Sequence, residues 1–255
     1  DDGEPMVSPK DGLPYYLTGY VPADSVILHD TWDGLGLRGT GSGDVEIPGV
    51  FVPKEMVNES GIWTHPYESP LQNANFNLAA HAAHALGLAV AAKEEIEKVA
   101  LLKARRGSFR QERMGKEQST FVSVGRADGR IRAMRLLMQD VIARAYEDAK
   151  TRVHIDYELR VLMHEVNALV VNECREVVDD LFREAGSIAV FRGNRMERIF
   201  RDMITAAQHI VVTKNSIDRA GQYWMTKDTE QGPTLDIELA YVRGPHPQSL
   251  RREII

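Results

Sequence analysis

His209 is the residue of this chain best suited by type and setting to transfer protons. It lies in RIFRDMITAAQHIVV, residues 198–212, and the apolar spacing there predicts one helix from Asn194 to Asn215. On that helix His209 falls at the polar edge of an apolar face formed by Ile199, Met203, Ala206 and Ile210. Thr205, one turn away, is close enough to orient the ring, whereas Asp202 is roughly 10 Å away along the axis. An imidazole titrates near pH 6.5, so it can act as a general acid or base, although a lone helical histidine can also be structural.

Two further histidines, His81 and His84, lie one helical turn apart in AAHAAHALG. That spacing suits two metal ligands, but no carboxylate at a matching spacing completes the set. We therefore predict close helix packing and no metal site. Cys174 is the only cysteine and lies on an apolar stripe, which predicts an unreactive core thiol and no intrachain disulfide.

The composition is that of an ordinary globular protein. Of its 255 residues 43% are hydrophobic and 27% are charged, and the formal net charge is −6. This acidic balance argues against a nucleic-acid or anionic-membrane surface. Because no apolar run approaches the roughly 20 residues of a membrane span and no secretory leader is recognisable, we expect a cytoplasmic protein.

The pattern of the chain predicts three parts. Residues 1–67, rich in Gly, Pro and Asp with short β-type runs such as YYLTGYV and VFVPKEM, predict part of a β-domain; residues 68–220 predict a long four-helix bundle; residues 221–255 predict an extended tail. The first helix is expected to begin near Ser69 and Pro70. Since the chain opens on DDGEPMVSP without an initiator Met, we expect it to be the later part of a longer protein.

Two of the predicted helices carry a clear apolar stripe at a period of 3.6 residues. The stripe of the second helix consists of Val124, Ala127, Ile131, Met134, Met138, Val141 and Ala145. The stripe of the third consists of Ile155, Leu159, Leu162, Val166, Val170, Cys174, Val177 and Leu181.

Two segments resemble the acyl-CoA dehydrogenase superfamily. TWDGLGLRGTGSGDVEIPGVFVP, Thr31–Pro53, is similar to the segment that closes the middle β-domain of that superfamily and leads into its C-terminal bundle. REAGSIAVFRGNRMERIFRD resembles its glycine turn and the Arg-x-x-Arg-Asp at the start of the last bundle helix. The resemblance covers roughly residues 15–220 and implies an α+β, mostly α, fold whose N-terminal part is missing here.

The chain departs from the dehydrogenases at the catalytic base. Those enzymes use a glutamate to remove the α-proton of an acyl thioester. In the common branch it lies nine residues after the arginine matching Arg201, which is Ile210 here. In another branch it lies ten residues before the glycine matching Gly87, which is Asn77 here. Neither side chain can accept a proton, so the sequence favours the fold without the dehydrogenase chemistry.

Eight residues after Arg201 stands His209, and Arg-Asp followed after six residues by His is similar to the two-component flavin-dependent monooxygenases of this fold. The resemblance implies an oxygenase component that uses O₂ and reduced FMN or FAD supplied by a separate flavin reductase. It hydroxylates or oxygenates an aromatic or other small organic substrate. His209 would lie beside flavin and substrate, deprotonating the substrate or holding a proton on the bound oxygen.

The same resemblance implies cofactor-binding residues. Arg106 and Phe109, in RRGSF, match an Arg-x-x-Phe whose guanidinium reaches the flavin phosphate, although Arg106 also lies in a basic cluster with a solvated alternative. Gly186 and Ser187 match the turn that approaches flavin, although a helix-capping glycine explains Gly186 equally well. Arg192 begins the next turn. For Arg198, Arg201 and Asp202 we favour a structural ion-pair framework.

Two alternatives remain open: an acyl-CoA dehydrogenase-like FAD oxidoreductase whose base lies elsewhere, and a non-catalytic truncated member of the fold. The long helices carry more apolar surface than one bundle core needs, and the family buries such surface between subunits, so we also expect a homo-oligomer, a dimer or a tetramer.

Overall fold

The computed structural model describes residues 17–59, 74–103, 113–151 and 155–229. These residues form two compact units. The first contains residues 17–32 and 41–59, and the second contains residues 33–40, 74–103, 113–151 and 155–229.

The first unit is a small β-structure. Strand β1, Leu17–Gly19, pairs antiparallel with β4, Val57–Glu59, and β2, Ile27–Leu28, pairs antiparallel with β3, Val45–Glu46. The β-type run VFVPKEM does not form a strand, because Pro53 starts a 3₁₀ turn over Lys54–Met56 and β4 begins only after it. The strands carry exposed side chains such as Leu28, so this unit has little core of its own.

The second unit is helical, and the mostly α fold predicted from the sequence is confirmed. Its helices are α1, Leu78–Leu102; α2, Gln118–Ala149; α3, Tyr157–Ala185; α4, Arg195–Ala206; and α5, Lys214–Thr226. A 3₁₀ turn over Ala74–Asn77 precedes α1. The predicted start at Ser69 and Pro70 lies outside the described residues. Over the part of the chain described here, no helix combines the length and apolarity that a membrane crossing requires.

The predicted apolar stripes form the core. Helix α3 is central and packs against α1, α2, α4 and α5. Every residue of the two predicted stripes is buried or packed against the core, and on α3 Val170 and Leu181 are fully buried. Cys174 is buried too, and this burial raises the pKa of its thiol to about 12, so the predicted unreactive core thiol agrees with its environment.

The prediction of one helix from Asn194 to Asn215 is wrong. The backbone leaves the helix after Ala206, forms a 3₁₀ turn over Ile210–Val212, and begins α5 at Lys214. The carbonyls of all three turn residues accept side-chain hydrogen bonds, from donors on Thr213, Asn167, Ser216 and Asn172. A continuous helix would use these carbonyls for its own N–H groups, so side chains on neighbouring elements favour the break.

The predicted extended tail also begins later than Gly221, because α5 continues to Thr226. Tyr223 explains the extension: its ring is buried, and its hydroxyl donates a hydrogen bond of 3.1 Å to Glu158 at the start of α3. Docking an aromatic ring with a satisfied hydroxyl stabilises the extra turn of helix. Residues 230–255 of the predicted tail lie outside the described residues.

Candidate functional site

The turn that carries His209 is held against the bundle from several sides. His209 is the residue immediately before the 3₁₀ turn, and its backbone N–H donates to the carbonyl of Ala206 at the end of α4. Val211 and Val212, the last two residues of the turn, are buried in the core, whereas His209 is exposed. The structure therefore places a solvent-accessible imidazole on a backbone that is anchored on both sides.

One nitrogen of the His209 ring is already used. Nδ1 accepts a hydrogen bond of 3.4 Å from the backbone N–H of Val211. Because a backbone N–H can only donate, Nδ1 must be unprotonated in this arrangement and the neutral ring carries its proton on Nε2. The Nε2–H group is thus the end of the ring left for a ligand.

Thr205 does not orient the ring as the helical prediction required. Its hydroxyl donates 2.9 Å to the carbonyl of Arg201, one turn back on α4. The helix ends between Thr205 and His209, so the expected one-turn spacing between these side chains no longer applies.

The neighbour of His209 that sequence reasoning missed is His81 on α1. The two rings lie 4.2 Å apart, centre to centre, with their planes inclined by 33°. The pKa of His81 is lowered, first by burial and then by the positive charge that His209 and His84 carry when protonated. The only signal in the sequence was AAHAAHALG, which pointed to packing and gave no indication of a partner 128 positions away.

Helix α4 itself is fixed at both its faces. Phe200 stacks on Phe182 of α3 with ring centres 4.1 Å apart. On the other side, Asp202 accepts a hydrogen bond of 2.7 Å from the backbone N–H of Leu37, and Nη1 of Arg201 donates 2.7 Å to the carbonyl of Leu35.

Arg201 also pairs with Glu197, one turn earlier on α4. This pairing lowers the pKa of the Glu197 carboxyl, chiefly through the hydrogen bond from Arg201. Arg201 and Asp202 thus tie residues 33–40 to α4, which agrees with the structural framework favoured from the sequence. Arg198 is exposed.

Gly186, Ser187 and Arg192 lie at the opposite end of α4. Gly186 ends α3 with φ 65°, a conformation that favours glycine, and its N–H donates to the carbonyl of Arg183. A Cβ at this position would lie 3.2 Å from Nζ of Lys103, which itself donates to the carbonyl of Ala185. Ser187 and Arg192 are exposed. Gly186 therefore has a clear capping role, whatever else its turn binds.

The predicted site residues lie on both sides of α4 in the chain. Helix α4, whose 12 residues give it a length of roughly 18 Å, begins after the Gly186 turn and Arg192 and ends before His209. Arg106 and Phe109 fall within residues 104–112, outside the described residues, so their predicted roles remain predictions. Within the described ranges, no group of three or more metal-ligating side chains comes together.

Comparison with known proteins identifies relatives of this chain. The family model "Acyl-CoA dehydrogenase, C-terminal domain" matches residues 79–214, more than half of the 255 residues. A curated relative, "Flavin-dependent monooxygenase, oxygenase subunit HsaA" of Rhodococcus jostii strain RHA1, is 24% identical over 219 residues. The match covers 81% of this chain and 56% of the relative, so the chain spans about half the length of that protein.

Solved structures share the fold. XiaF from Streptomyces sp., in complex with FADH2 and glycerol, superposes with a TM-score of 0.75 at 22% identity, covering 89% of this chain and 59% of XiaF. TdsC from Paenibacillus sp. A11-2, in a complex with FMN and indole, superposes with a TM-score of 0.70 at 21% identity, covering 86% of this chain and 58% of TdsC.

Proposed function

The chain belongs to the family of acyl-CoA dehydrogenase C-terminal domains. Within this family, we propose that it acts as the oxygenase component of a two-component flavin-dependent monooxygenase. In this proposal externally reduced flavin and O₂ oxygenate an aromatic or other small organic substrate. The oxygenase subunit to which the chain is similar, and the neighbouring structure that holds indole, support this choice within the family.

The observation that carries the proposal is the exposed imidazole of His209 beside positions that lack a carboxylate. Ile210, at the place of the common dehydrogenase base, is 67% exposed and has no titratable group. Asn77, at the place of the other base, is the residue immediately before α1 and cannot accept a proton either. Proton chemistry at this end of the bundle therefore falls to His209, with His81 beside it.

The hydrogen bond to Nδ1 favours one of the two roles predicted for His209. With its proton on Nε2, the neutral ring is a donor at its free end. It can donate a hydrogen bond to an oxygen of the reacting group without changing tautomer. To deprotonate a substrate, Nε2 would have to be unprotonated, so the ring proton would move to Nδ1 and the contact with the Val211 N–H would break. We therefore propose that His209 acts mainly as a hydrogen-bond donor through Nε2.

The residues present fit a flavin at the Gly186 turn. Gly186 offers backbone without a side chain, and Ser187 and Arg192 add an exposed hydroxyl and an exposed guanidinium suited to phosphate oxygens. Arg106 and Phe109 are proposed to complete this set. The bound flavin would supply activation of O₂. Related structures hold FADH2 in one case and FMN in another, so we propose reduced FMN or FAD as the cofactor.

A separate flavin reductase is the proposed protein partner, because the proposed reaction needs a flavin that is already reduced when it binds. A homo-oligomer, a dimer or a tetramer, is supported by exposed apolar side chains on α2, where Phe121 is 59% and Leu136 is 67% exposed. We propose a cytoplasmic location and no nucleic-acid or membrane partner, which suits the acidic composition and the buried, unpaired Cys174.

The test is oxygen incorporation. The purified protein is mixed with FMN or FAD, a flavin reductase, NADH, ¹⁸O₂ and a panel of indoles and phenols, and products are analysed by mass spectrometry. One ¹⁸O atom in a product supports the proposal. Bleaching of bound FAD by an acyl-CoA would instead support the dehydrogenase-like alternative, and no binding of either flavin would support the non-catalytic one.

His209→Ala tests the proposed donor. We expect product formation to fall about 10²-fold or more while flavin affinity stays nearly unchanged, because a positioned hydrogen-bond donor to the reacting group is lost but the phosphate contacts are not. His29→Ala, which removes an exposed imidazole 3.2 Å from Glu46 in the β-unit, is the matched control and should leave product formation intact. Unchanged coupling of NADH oxidation to product in His209→Ala would remove His209 from the mechanism.

A further inference from the structure

The buried side chain of Asn167 links the two histidine-bearing segments. Asn167 lies on α3 and is 2% exposed. Its Oδ1 accepts a hydrogen bond of 3.1 Å from the backbone N–H of Ala82, the residue after His81. Its Nδ2 donates 3.4 Å to the carbonyl of Val211, two residues after His209. One amide group thus connects α1 to the 3₁₀ turn.

Both contacts define the direction of the amide. A backbone N–H can only donate and a carbonyl can only accept, so Oδ1 must face α1 and Nδ2 must face the turn. Leucine has a similar volume but makes neither bond, and aspartate keeps the acceptor but loses the donor. Because Asn167 is buried, either substitution would leave at least one buried polar group without a partner, which costs about 1–3 kcal/mol.

The backbone of Val211 connects this contact to the His209 ring. Its carbonyl receives Nδ2 of Asn167, together with the hydroxyl of Ser216 at 3.1 Å. Its N–H is the group that donates to Nδ1 of His209. Since Val211 is buried, the position of its backbone depends on these bonds and on core packing rather than on solvent. The two peptide groups that meet at Val211 therefore bind Asn167 through the carbonyl on one side and His209 through the N–H on the other.

A second asparagine supports the turn without reaching His81. Nδ2 of Asn172 donates 3.0 Å to the carbonyl of Val212 and 2.8 Å to that of Ala168. Asn172 fixes the end of the turn that leads into α5, whereas Asn167 fixes the end that bears His209. Among these contacts, only those of Asn167 join the turn to the residue beside His81.

We propose that Asn167 is a positioning residue that aligns His209 with His81 and holds His209 in the tautomer with its proton on Nε2. The effect on catalysis rests on the oxygenase function proposed above. The alignment of the two rings and the tautomer of His209 do not depend on that function, because they can be measured in the protein alone.

The direct test is the tautomer. ¹⁵N NMR of histidine-labelled protein at about pH 8 should show an unprotonated Nδ1 and a protonated Nε2 for His209, assigned by its loss in His209→Ala. In Asn167→Asp and Asn167→Leu we expect this pattern to change to a mixture of tautomers and the ring-current shift between His81 and His209 to change with it. Should Asn167→Leu fail to fold, Asn167→Asp, which conserves the volume and the bond to Ala82, carries the test.

Thr120→Val is the matched control. Thr120, near the start of α2, is also 2% exposed, and its hydroxyl donates a partly buried hydrogen bond of 2.8 Å to Glu184 that valine cannot make. It should leave the His209 pattern as in the wild type. An unchanged His209 tautomer in the folded Asn167 variants would overturn the proposal, as would an equal change in Thr120→Val.

The kinetic measurement separates positioning from general stability. In Asn167→Asp we expect kcat to fall about tenfold to a hundredfold with the dissociation constant of flavin within twofold, because small misplacements of a reacting group cost that much. If the wild type is active and Asn167→Asp has the same kcat, the proposed effect of Asn167 on catalysis is refuted. If the wild type forms no oxygenated product at all, the proposed function fails, and the NMR result still decides whether Asn167 positions His209.

Discussion

His164 provides a quantitative prediction about the stability of the bundle at acid pH. It lies partly buried on α3, and its pKa is lowered to about 4, first by burial and then by the positive charges of Arg219 on α5 and Arg160 on α3. In the unfolded chain the same imidazole titrates near 6.5. Below pH 6.5 the unfolded state therefore binds a proton that the folded state does not accept until about pH 4.

The sign follows from this difference. The contribution of neutral His164 to stability is fully present above pH 6.5 and is lost progressively as the pH falls toward 4, since the unfolded state binds more protons in that window. With 1.36 kcal/mol for each unit of pKa difference, the loss between pH 7.5 and pH 5 is about 2 kcal/mol. This is a sizeable share of the roughly 5–15 kcal/mol that stabilises a typical domain.

The assay is urea unfolding of the wild type and His164→Gln at both pH values. The carboxylates and the other seven histidines are common to both proteins, so the difference between the two pH dependences isolates His164. We expect the wild type to lose about 2 kcal/mol more than the variant between pH 7.5 and pH 5. Equal pH dependences would refute the argument, and so would an NMR titration in which the His164 ring becomes protonated near pH 6.5.

The remaining predictions concern Gly36 in the helical unit and Arg106, which lies outside the described residues. Gly36→Ala should destabilise the protein by about 3 kcal/mol, because the new Cβ would clash with the backbone carbonyl oxygen of Arg201. Gly39→Ala is its control: the new Cβ meets nothing within 4 Å, so the variant should be nearly neutral in the same thermal unfolding assay. Arg106→Ala should weaken flavin binding by roughly 1.5–3 kcal/mol if its guanidinium holds the phosphate, measured by fluorescence titration. Arg113→Ala, which removes an exposed arginine hydrogen-bonded to Leu101, serves as its control, and equal affinity of wild type and Arg106→Ala would return Arg106 to the solvated basic cluster.

The helices of the bundle were predictable because their pattern is local. Stripes such as Ile131 to Val141 on α2 and Val170 to Leu181 on α3 repeat at the helical period, and any packing that covers them buries the same residues. Cys174 shows this well, since its place on the stripe already predicted burial. The absence of a carboxylate at Asn77 and Ile210 was equally a matter of residue type and could be read without coordinates.

The break at His209 was decided by tertiary structure. The residues of AAQHIVV are compatible with a helix, and nothing within the segment ends it. The donors that bind the turn carbonyls include Asn167 and Asn172, which lie more than 35 positions earlier on α3 and reach the turn only after the helices pack. A hydrogen bond between distant positions leaves no periodic trace in a sequence.

The sequence by itself therefore determined which residue types are available for chemistry, with an imidazole at position 209 and no carboxylate at positions 77 and 210. Only the tertiary structure decided what the imidazole can do. Packing of α1 brought His81 to 4.2 Å from His209, and the folded turn placed the Val211 N–H on Nδ1. The physical reason is that residue type sets intrinsic pKa and hydrogen-bonding capacity, whereas tautomer and neighbours depend on contacts that form only when the chain is folded.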